Sequence, residues 1–389
     1  MSKDKSIYNL YFDYTDEYIT KYGEQTVVFM QVGAFFEIYG VKTPNDNIER
    51  SQIQEIATIC GLSISAKTQS FENGVIVMAG FRDYTVDKYI AKLTDNGFTI
   101  PVFIQEKTGT EIKRVLHNVY SPGTYISCET DSKPAMSNNI MTIWFELYTP
   151  SVTSLRTSAN ERTKELLVYG VSVIDIFTGH SSIFQYETAF HMSVTTFDEL
   201  ERYISIYAPS EIIIISPFDE STIKTIVQYT GIQTNSVHLI DSNDKSNDKI
   251  TRCTQEKYLK EVLTMFYKED TYSVCREFQE HILATQSFCF LLNFIQEHNS
   301  NLINKISLPT FNNTSNRVIL PNHTLLQLNI IGDMTTENKK MGKLSSVMSL
   351  LNTCNTPMGR RLFQYYLTTP TFDESWLTNE YTQIEIMLE

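Results

Sequence analysis

The sequence has 389 residues, with 32 Lys plus Arg against 45 Asp plus Glu, which gives a formal net charge of −13. This length predicts two or three domains, and because 42% of the residues are hydrophobic and only 20% are charged, a disordered or low-complexity chain is excluded. The acidic total by itself argues against nucleic acid as a partner, since nucleic-acid-binding domains are usually basic.

Residues 1–125 are predicted to alternate short helices and strands. In chain order we expect a helix over 7–22, strands over Thr26–Val32 and Phe35–Tyr39 with a turn at Gly33, a helix over Ile48–Cys60, a strand over 74–80, a helix over Val86–Asn96 and a strand over Phe98–Gln105. The second helix is predicted from apolar residues at 53, 56, 57 and 60. Lys67 lies in SAKTQS, a polar segment expected to be a loop, and the turn SPGT at 121–124 closes the unit.

A polar segment over 126–139 is predicted to be a linker, and a second α/β region follows. A hairpin turns at Gly179-His180, a helix covers 197–208, and buried strands are expected at 211–216 and 236–240 with a helix between them. Strands that alternate with helices predict a sheet covered by helices.

Strand signals largely disappear from about residue 275. A strong helix is expected over 281–298, and 344–367 is predicted to be mostly helical despite Pro357. The last periodic residues have no cap, Gly or Pro after them, so we expect a helix that continues and a chain that is the front part of a longer protein.

Motifs for catalysis and cofactors are missing from the sequence. It has no P-loop (Walker A motif), G-x-G-x-x-G, H-E-x-x-H or G-x-S-x-G, and its histidines and six cysteines are scattered without ligand-like spacing. We therefore predict no catalytic, cofactor-binding or metal-binding residue. No apolar run approaches the roughly 18–20 residues that span a bilayer, so we expect a soluble intracellular protein without a membrane partner.

One carboxylate allows an alternative. Asp175 lies in the middle of a predicted strand, in a hairpin that resembles the opening of ribonuclease H-like folds, where active nucleases place a metal-binding aspartate. Metal-assisted cleavage needs further carboxylates nearby. The later strands supply only Glu211 and Asp241, so a structural Asp175 is the favoured interpretation and a nuclease the third hypothesis.

The most informative segment is QVGAFFEIYG, residues 31–40. Because side chains alternate along a strand, Phe35 and Glu37 share one face while Phe36 points inward. One interpretation is a half-buried strand with a solvated Glu37. The other is a wedge: an apolar ring enters the minor groove and unstacks a base step, and the carboxylate accepts a hydrogen bond from a displaced base. Such a device favours DNA that bends and unstacks easily, as mismatches do.

This segment resembles the G-D-F-Y-E element of the MutS mismatch-repair family, and further matches follow in order. They are Met78-Ala79-Gly80-Phe81, Tyr89 to Leu93 with Gly97, Gln105-Glu106, Lys113-Arg114-Val115, Ser121-Pro122-Gly123-Thr124, Leu350-Leu351-Asn352, Thr356 to Leu362, and Leu367 to Pro370. The run around Phe35 looks most like the giant-virus and octocoral-mitochondrial branch of the family. Two departures are Ala34, where the family has Asp, and Arg82-Asp83, which replace a Pro and its follower.

The resemblance implies a multidomain α+β and α/β fold: a mixed-sheet mismatch-binding domain at 1–125, the linker at 126–139, a ribonuclease H-like connector at 140–274 and a partial all-α lever domain at 275–389. It implies Phe35 as the wedge and Glu37 as the acid that contacts the base. We add Lys67 as a candidate phosphate contact, with an ordinary solvated lysine as the alternative. Phe36, Gly33 and Gly80 are assigned to packing and turns.

The resemblance also implies partners beyond this sequence. Full-length members of the family are DNA-dependent ATPases that use ATP and Mg²⁺, but this chain lacks a Walker A motif, so we predict no enzyme activity for it. The implied partners are double-stranded DNA with mismatches or small loops, a dimer partner reached through C-terminal regions, and downstream repair proteins. The rival hypothesis is a truncated scaffold protein for repair partners, with little DNA binding of its own.

The distribution of charge along the chain weakens the argument that the acidic net charge excludes nucleic acid. Residues 1–125 have a net charge of −3 (12 basic against 15 acidic residues), whereas 126–275 have −8 (12 against 20). Acidity is therefore concentrated outside the presumed DNA-facing domain. A wedge and a carboxylate need no basic average, so we expect this chain to hold DNA weakly and to release it as salt rises.

Overall fold

The chain forms two mixed β-sheets with helices packed against them. The computed structural model describes residues 7–388 except 72–73, 109–110, 126–137, 150–164, 233, 235, 245–246, 269, 300–301, 303–304, 312–317, 319–321, 332–341 and 369. The predicted linker therefore lies outside the described residues, apart from its last two positions, Asn138 and Asn139.

The first sheet has seven strands in the order β4-β5-β2-β1-β6-β7, with β3 paired to β2. Their bounds are β1 Phe29–Val32, β2 Phe35–Lys42, β3 Ile48–Glu49, β4 Ser65–Phe71, β5 Gly74–Arg82, β6 Ile100–Thr108 and β7 Glu111–Tyr120. The pair β1–β6 is parallel and the other pairs are antiparallel. Strand β2 is thus held on both sides by antiparallel partners, which fixes the direction of each of its side chains.

Three helices pack on this sheet: α1 Ile7–Tyr22, α2 Ile53–Cys60 and α3 Val86–Thr94. They share one apolar core with the inward side chains of the strands. Helix α1 lies over β2, where the rings of Tyr8 and Tyr11 meet the ring of Tyr39 edge-on at 5.1 and 5.0 Å between centroids. The helix predicted over 7–22 is confirmed, and that over Val86–Asn96 is confirmed to within two residues.

Two local predictions in this region are wrong. The helix expected over Ile48–Cys60 begins only at Ile53, because Arg50 has a φ of +68°, outside the helical region, and Ile48–Glu49 pairs with β2 instead. Lys67 does not lie in a loop but in β4. This strand is at the edge of the sheet and most of its side chains are exposed, so its sequence lacks the apolar alternation that reveals a strand.

The second sheet has six strands in the order β12-β11-β8-β9-β10-β13. Their bounds are β8 Asn139–Tyr148, β9 Leu166–Asp175, β10 Ser181–Ala189, β11 Glu211–Ser216, β12 Val237–Asp241 and β13 Thr310–Phe311. Strands β8, β9 and β10 are antiparallel, and β11 runs parallel to both β8 and β12. The predicted hairpin at Gly179-His180 and the buried strand at 211–216 are confirmed.

Helices cover both faces of this sheet, and this explains its continuous apolar strands. The helices of this region are α4 Asp198–Tyr207, α5 Glu220–Tyr229, α6 Asp248–Cys253, α7 Glu256–Tyr267, α8 Thr271–Val274, α9 Glu277–Glu280 and α10 Ile282–His298. Helix α10 crosses β9 so closely that a Cβ on Gly170 would lie 2.3 Å from the backbone nitrogen of Ala284. Residues after the predicted boundary at 274 therefore share the core of the second sheet.

The remaining helices are α11 Asn322–Gln327, α12 Val347–Leu351, α13 Pro357–Thr368 and α14 Glu374–Leu388. The mostly helical prediction for 344–367 is confirmed, and Pro357 begins α13 instead of interrupting a longer helix, a position where a proline costs nothing. Among the helices of residues 7–388 that are described, none is long and apolar enough to cross a membrane.

Candidate nucleic-acid interface

A two-residue turn joins β1 to β2, two interior strands, at one end of the first sheet. Val32 pairs with Phe35, which leaves Gly33 and Ala34 as the connection. Gly33 has a φ of +63°, as a type II′ turn requires at its first central position, and glycine takes this conformation without a steric penalty. The turn is also braced from outside, since the amide of Gly33 donates to Oε1 of Gln105 and the amide of Asp83 to the carbonyl of Ala34, both at 3.1 Å.

Phe35 and Phe36 follow the turn and point in opposite directions, as predicted. Phe36 is 4% exposed, and its ring lies 6.4 Å from that of Phe29 and 6.0 Å from that of Phe81. Phe35 is 44% exposed. An apolar ring is thus presented at the end of a hairpin whose next residue is anchored in the core.

Arg82 is the cross-strand partner of Phe35. Phe35 begins β2 and Arg82 ends β5, and the two residues are directly opposite each other in the antiparallel ladder. The guanidinium carbon lies 5.8 Å from the centre of the Phe35 ring, which is the geometry of a cation–π contact.

Glu37 lies on the same strand face as Phe35 but is better covered, because its side chain is only 12% exposed. Its Oε2 accepts a hydrogen bond from the hydroxyl of Tyr39 at 2.5 Å and lies 3.5 Å from Nζ of Lys67. Burial raises the pKa of Tyr39 and the neighbouring carboxylate raises it further, so the hydroxyl stays protonated and donates. Both contacts with described residues fall on Oε2, and no hydrogen bond from a described residue reaches Oε1.

Lys67 reaches Glu37 from the edge strand. Its side chain is 33% exposed and its ammonium group stays within ion-pair distance of the carboxylate. The structure therefore brings together Phe35, Glu37 and Lys67 on one end of the first sheet. Gly80 pairs with Glu37, and a Cβ on it would lie 3.0 Å from the carbonyl oxygen of Phe36, so its assignment to packing agrees with the geometry.

Three residues of this site were not identified from the sequence. Tyr39 could have been found, because it is two residues after Glu37 and therefore on the same strand face. Gln105 belongs to a recognised sequence match, but its bond to Gly33 joins segments 72 residues apart. Arg82 was noticed only as a departure from the family pattern.

The three carboxylates of the nuclease hypothesis do not meet at one site. Asp175 accepts hydrogen bonds from the amides of Asn138 and Phe177 and from the hydroxyl of Thr178. Glu211 is at the same end of the second sheet, whereas Asp241 is at the opposite end of β12, paired with Ser216. Within the described ranges no group of three His, Cys, Asp or Glu side chains is arranged to hold a metal ion.

Glu211 instead belongs to a buried polar cluster at the junction of the two sheets. It is fully buried and accepts from the hydroxyl of Ser121, the amide of Gly123 and Nε2 of His238, at 2.6, 2.9 and 2.6 Å. The other ring nitrogen of His238 lies 3.2 Å from the carbonyl oxygen of Tyr22 at the end of α1.

This cluster shifts the pKa values of its members. Burial opposes the charged form of Glu211, but the hydrogen bond and charge of His238 outweigh it, and the pKa of this carboxyl lies below its usual value. Burial likewise opposes the charged form of His238, yet its bond to Glu211 raises its pKa above the usual value. Nearby, burial lowers the pKa of His298 to about 4.

Comparison with known proteins gives a consistent result. Residues 16–129 match the family model described as MutS domain I. Over its whole length the chain is 26% identical to a putative DNA mismatch repair protein mutS homolog of Acanthamoeba polyphaga mimivirus, of which it covers 35%. It is 23% identical over 97% of its length to the mitochondrial DNA mismatch repair protein mutS homolog of the octocoral Sarcophyton glaucum, of which it covers 40%.

A bacterial relative agrees with these two. The DNA mismatch repair protein MutS of Borrelia hermsii is 22% identical over 94% of the chain, and 36% of that protein is covered. The chain thus spans a little over a third of the length of the curated relatives that it matches.

Proposed function

We propose that this chain, whose residues 16–129 match MutS domain I and whose relatives are mismatch-repair proteins, recognises mismatched duplex DNA, with Phe35 as a wedge and Glu37 as the acceptor for a displaced base. The observation that carries the proposal is the exposed Phe35 ring at the end of a braced hairpin. Exposed aromatic rings are common on proteins, but this one follows a fixed turn and precedes an anchored Phe36.

Rigidity is what a wedge requires. Inserting a ring between base steps costs a few kcal/mol of unstacking, and the cost is lowest where pairing is already defective. A hairpin held by Gln105 and by the backbone of Asp83 transmits this cost to the DNA instead of deforming itself. Discrimination then follows from the DNA, since a paired step resists unstacking more than a mismatched step does.

Glu37 supplies the polar part of recognition. Its Oε2 is occupied by Tyr39 and Lys67, so Oε1 accepts the hydrogen bond from a base that has lost its partner. A carboxylate accepts such a bond more strongly than a neutral oxygen does. Because an ionised carboxylate can only accept, it forms no hydrogen bond with a base edge that carries acceptors alone. The site therefore prefers displaced bases that present a donor.

Lys67 has two possible partners in this proposal. In the free protein it is paired with Glu37, and on binding its ammonium can turn to a backbone phosphate, because it is on an edge strand with its side chain partly exposed. The exchange replaces one charge-assisted contact by another. We therefore assign Lys67 to phosphate contact with a smaller effect than that of Phe35 or Glu37.

The second sheet and the ATP-linked steps have other roles. We infer a connector role for the second sheet, supported by its order β12-β11-β8-β9-β10 and by the bound state of Asp175. ATP and Mg²⁺ are proposed for the longer relatives, and we derive no step through either. A dimer partner and downstream repair proteins are proposed for the longer relatives.

The experiment is a binding titration of Phe35→Ala with G·T, unpaired-base and fully paired duplexes. We expect the parent to prefer the defective duplexes and the variant to bind all three equally. Val75→Ala is the matched control, because Val75 is 43% exposed on the same sheet but pairs with Lys42 at the far end of β2. A Phe35→Ala protein that discriminated as well as the parent would refute the wedge.

A scaffold function is the second candidate, and exposed apolar side chains on α14 favour it, among them Tyr381, Ile386 and Met387. Such a protein would offer surfaces to repair partners while binding DNA poorly. The same titration at low salt, where phosphate contacts are strongest, separates the two. No binding of any duplex by the parent chain would favour the scaffold.

A further inference from the structure

The guanidinium of Arg82 covers the ring that the proposed function inserts into DNA. It lies 5.8 Å from the ring centre of Phe35, and both residues are exposed at the same end of the sheet. The pairing of β2 with β5 holds the two Cα atoms directly opposite each other, so Arg82 cannot leave the neighbourhood of the ring.

Three other arginines of the chain form ion pairs with carboxylates. Arg50 is 3.1 Å from Asp16, Arg202 is 2.7 Å from Glu199 and Arg252 is 3.7 Å from Asp248. In the described part of the chain, no carboxylate lies within ion-pair distance of Arg82, whose contact is the face of Phe35. Its five N–H donors are therefore available to an acceptor from outside the protein.

Insertion of the wedge changes what Arg82 can contact. A ring stacked between base steps presents its faces to bases, so the guanidinium must leave the Phe35 face. The pairing of β2 with β5 keeps the Arg82 guanidinium beside the ring. When the ring enters from the minor groove, the nearest acceptors are the phosphates of the two DNA backbones that border this groove. A guanidinium matches phosphate oxygens with two parallel hydrogen bonds.

We propose that Arg82 is a DNA-backbone contact, which covers Phe35 in the free protein and binds a phosphate beside the mispair once the ring is inserted. The inference rests on the proposed wedge function and deepens it. The contact recognises phosphate and not base identity, and because it forms only once the ring is inserted, it adds affinity to the defective duplexes that admit Phe35.

The test is the salt dependence of DNA binding by the 389-residue chain. For Arg82→Ala we expect several-fold weaker binding of mismatched duplexes with little change for the paired duplex. For the mismatched duplexes, a plot of log affinity against log salt should have a slope that is smaller by about 0.9, the value for one lost phosphate contact. Arg82→Lys keeps the charge and should retain the parental slope. Arg252→Ala removes an exposed arginine from α6 of the second region and should also retain it.

The outcomes separate this inference from the function on which it rests. A parental slope, or tighter binding, in Arg82→Ala would overturn the phosphate contact while leaving the wedge intact. Discrimination that survives Phe35→Ala would overturn the wedge, and with it the exchange proposed for Arg82. A parent chain that binds no duplex at low salt would overturn both.

Discussion

Two glutamates of this protein have nearly the same partners and opposite surroundings. Glu37 accepts from a tyrosine hydroxyl and pairs with Lys67, and Glu211 accepts from a serine hydroxyl and pairs with His238. Glu37 remains partly exposed near one end of the first sheet, whereas Glu211 is fully buried at the junction between the sheets. A hydroxyl and a basic side chain hold the carboxylate in both cases, so these partners alone do not show what role each glutamate has.

The difference lies in what each carboxylate can exchange. Glu37 has one oxygen free of contacts with described residues, and its lysine is on an edge strand, so a ligand can replace part of its surroundings. Both oxygens of Glu211 are engaged, one by Ser121 and Gly123 and the other by His238. We therefore expect substitutions at Glu37 to change binding and substitutions at Glu211 to change stability.

Glu211→Gln is expected to have the largest effect. Removal of one member of a buried ion pair leaves its partner uncompensated, which costs about 3–5 kcal/mol of unfolding free energy. Urea denaturation at neutral pH measures it. The control is Glu220→Gln, which removes an equally charged but exposed partner of Lys224 and should leave stability nearly unchanged. Equal losses in the two variants would contradict the distinction between open and sealed carboxylates.

Acid is expected to destabilise the protein through His298, a buried histidine on which the charges of Glu211 and His238 act. Since burial lowers the pKa of His298 to about 4, from an ordinary value of 6.5, the unfolded chain binds this proton more readily and stability falls as the pH drops from about 6.5 towards 4. The loss by pH 5 is about 2 kcal/mol. The lowered pKa of Glu211 extends the loss to more acidic pH, and the raised pKa of His238 has the opposite sign, with stability lost as the pH rises above about 6.5.

Denaturation at pH 7, 6 and 5 checks this dependence, with Glu211, His238 and Glu297 as the charged groups that act on His298. His298→Gln should flatten the acidic part of the curve, because the buried titrating group is gone. His191→Gln removes an exposed histidine and should leave the curve unchanged. An acidic loss that persisted undiminished in His298→Gln would assign it to other groups.

The same contrast shows which features the sequence could predict. The alternation of Phe35, Phe36 and Glu37 depends on a period of two along one strand, so their directions followed from local sequence. At Lys67 the sequence predicts a loop, because an exposed edge strand carries no apolar pattern. The cluster of Glu211, Ser121 and His238 joins three distant segments, and only the folded sheets bring them together.

Tyr39→Phe is expected to have the smallest effect on stability and the most informative one on binding. It removes the hydroxyl that holds Oε2 of Glu37 while Lys67 remains, so the unfolding free energy should fall by only about 1 kcal/mol. Without this donor the carboxylate can rotate, and part of the preference for a displaced base should be lost while affinity for paired DNA is kept. Titrations with paired and mismatched duplexes measure both.

Tyr18→Phe provides the control, because Tyr18 is a buried tyrosine of α1 whose hydroxyl does not hold Glu37. If Tyr39→Phe and Tyr18→Phe discriminate equally well, the orientation of Glu37 does not depend on Tyr39, and Lys67 alone must hold it. If only Tyr39→Phe loses discrimination, the Tyr39 hydroxyl acts in DNA recognition, whereas the Ser121 hydroxyl, which makes a similar bond to Glu211, acts in stability. Because the Glu37 carboxylate is partly exposed, the hydrogen bond that Tyr39 donates to it then affects which bases the site recognises.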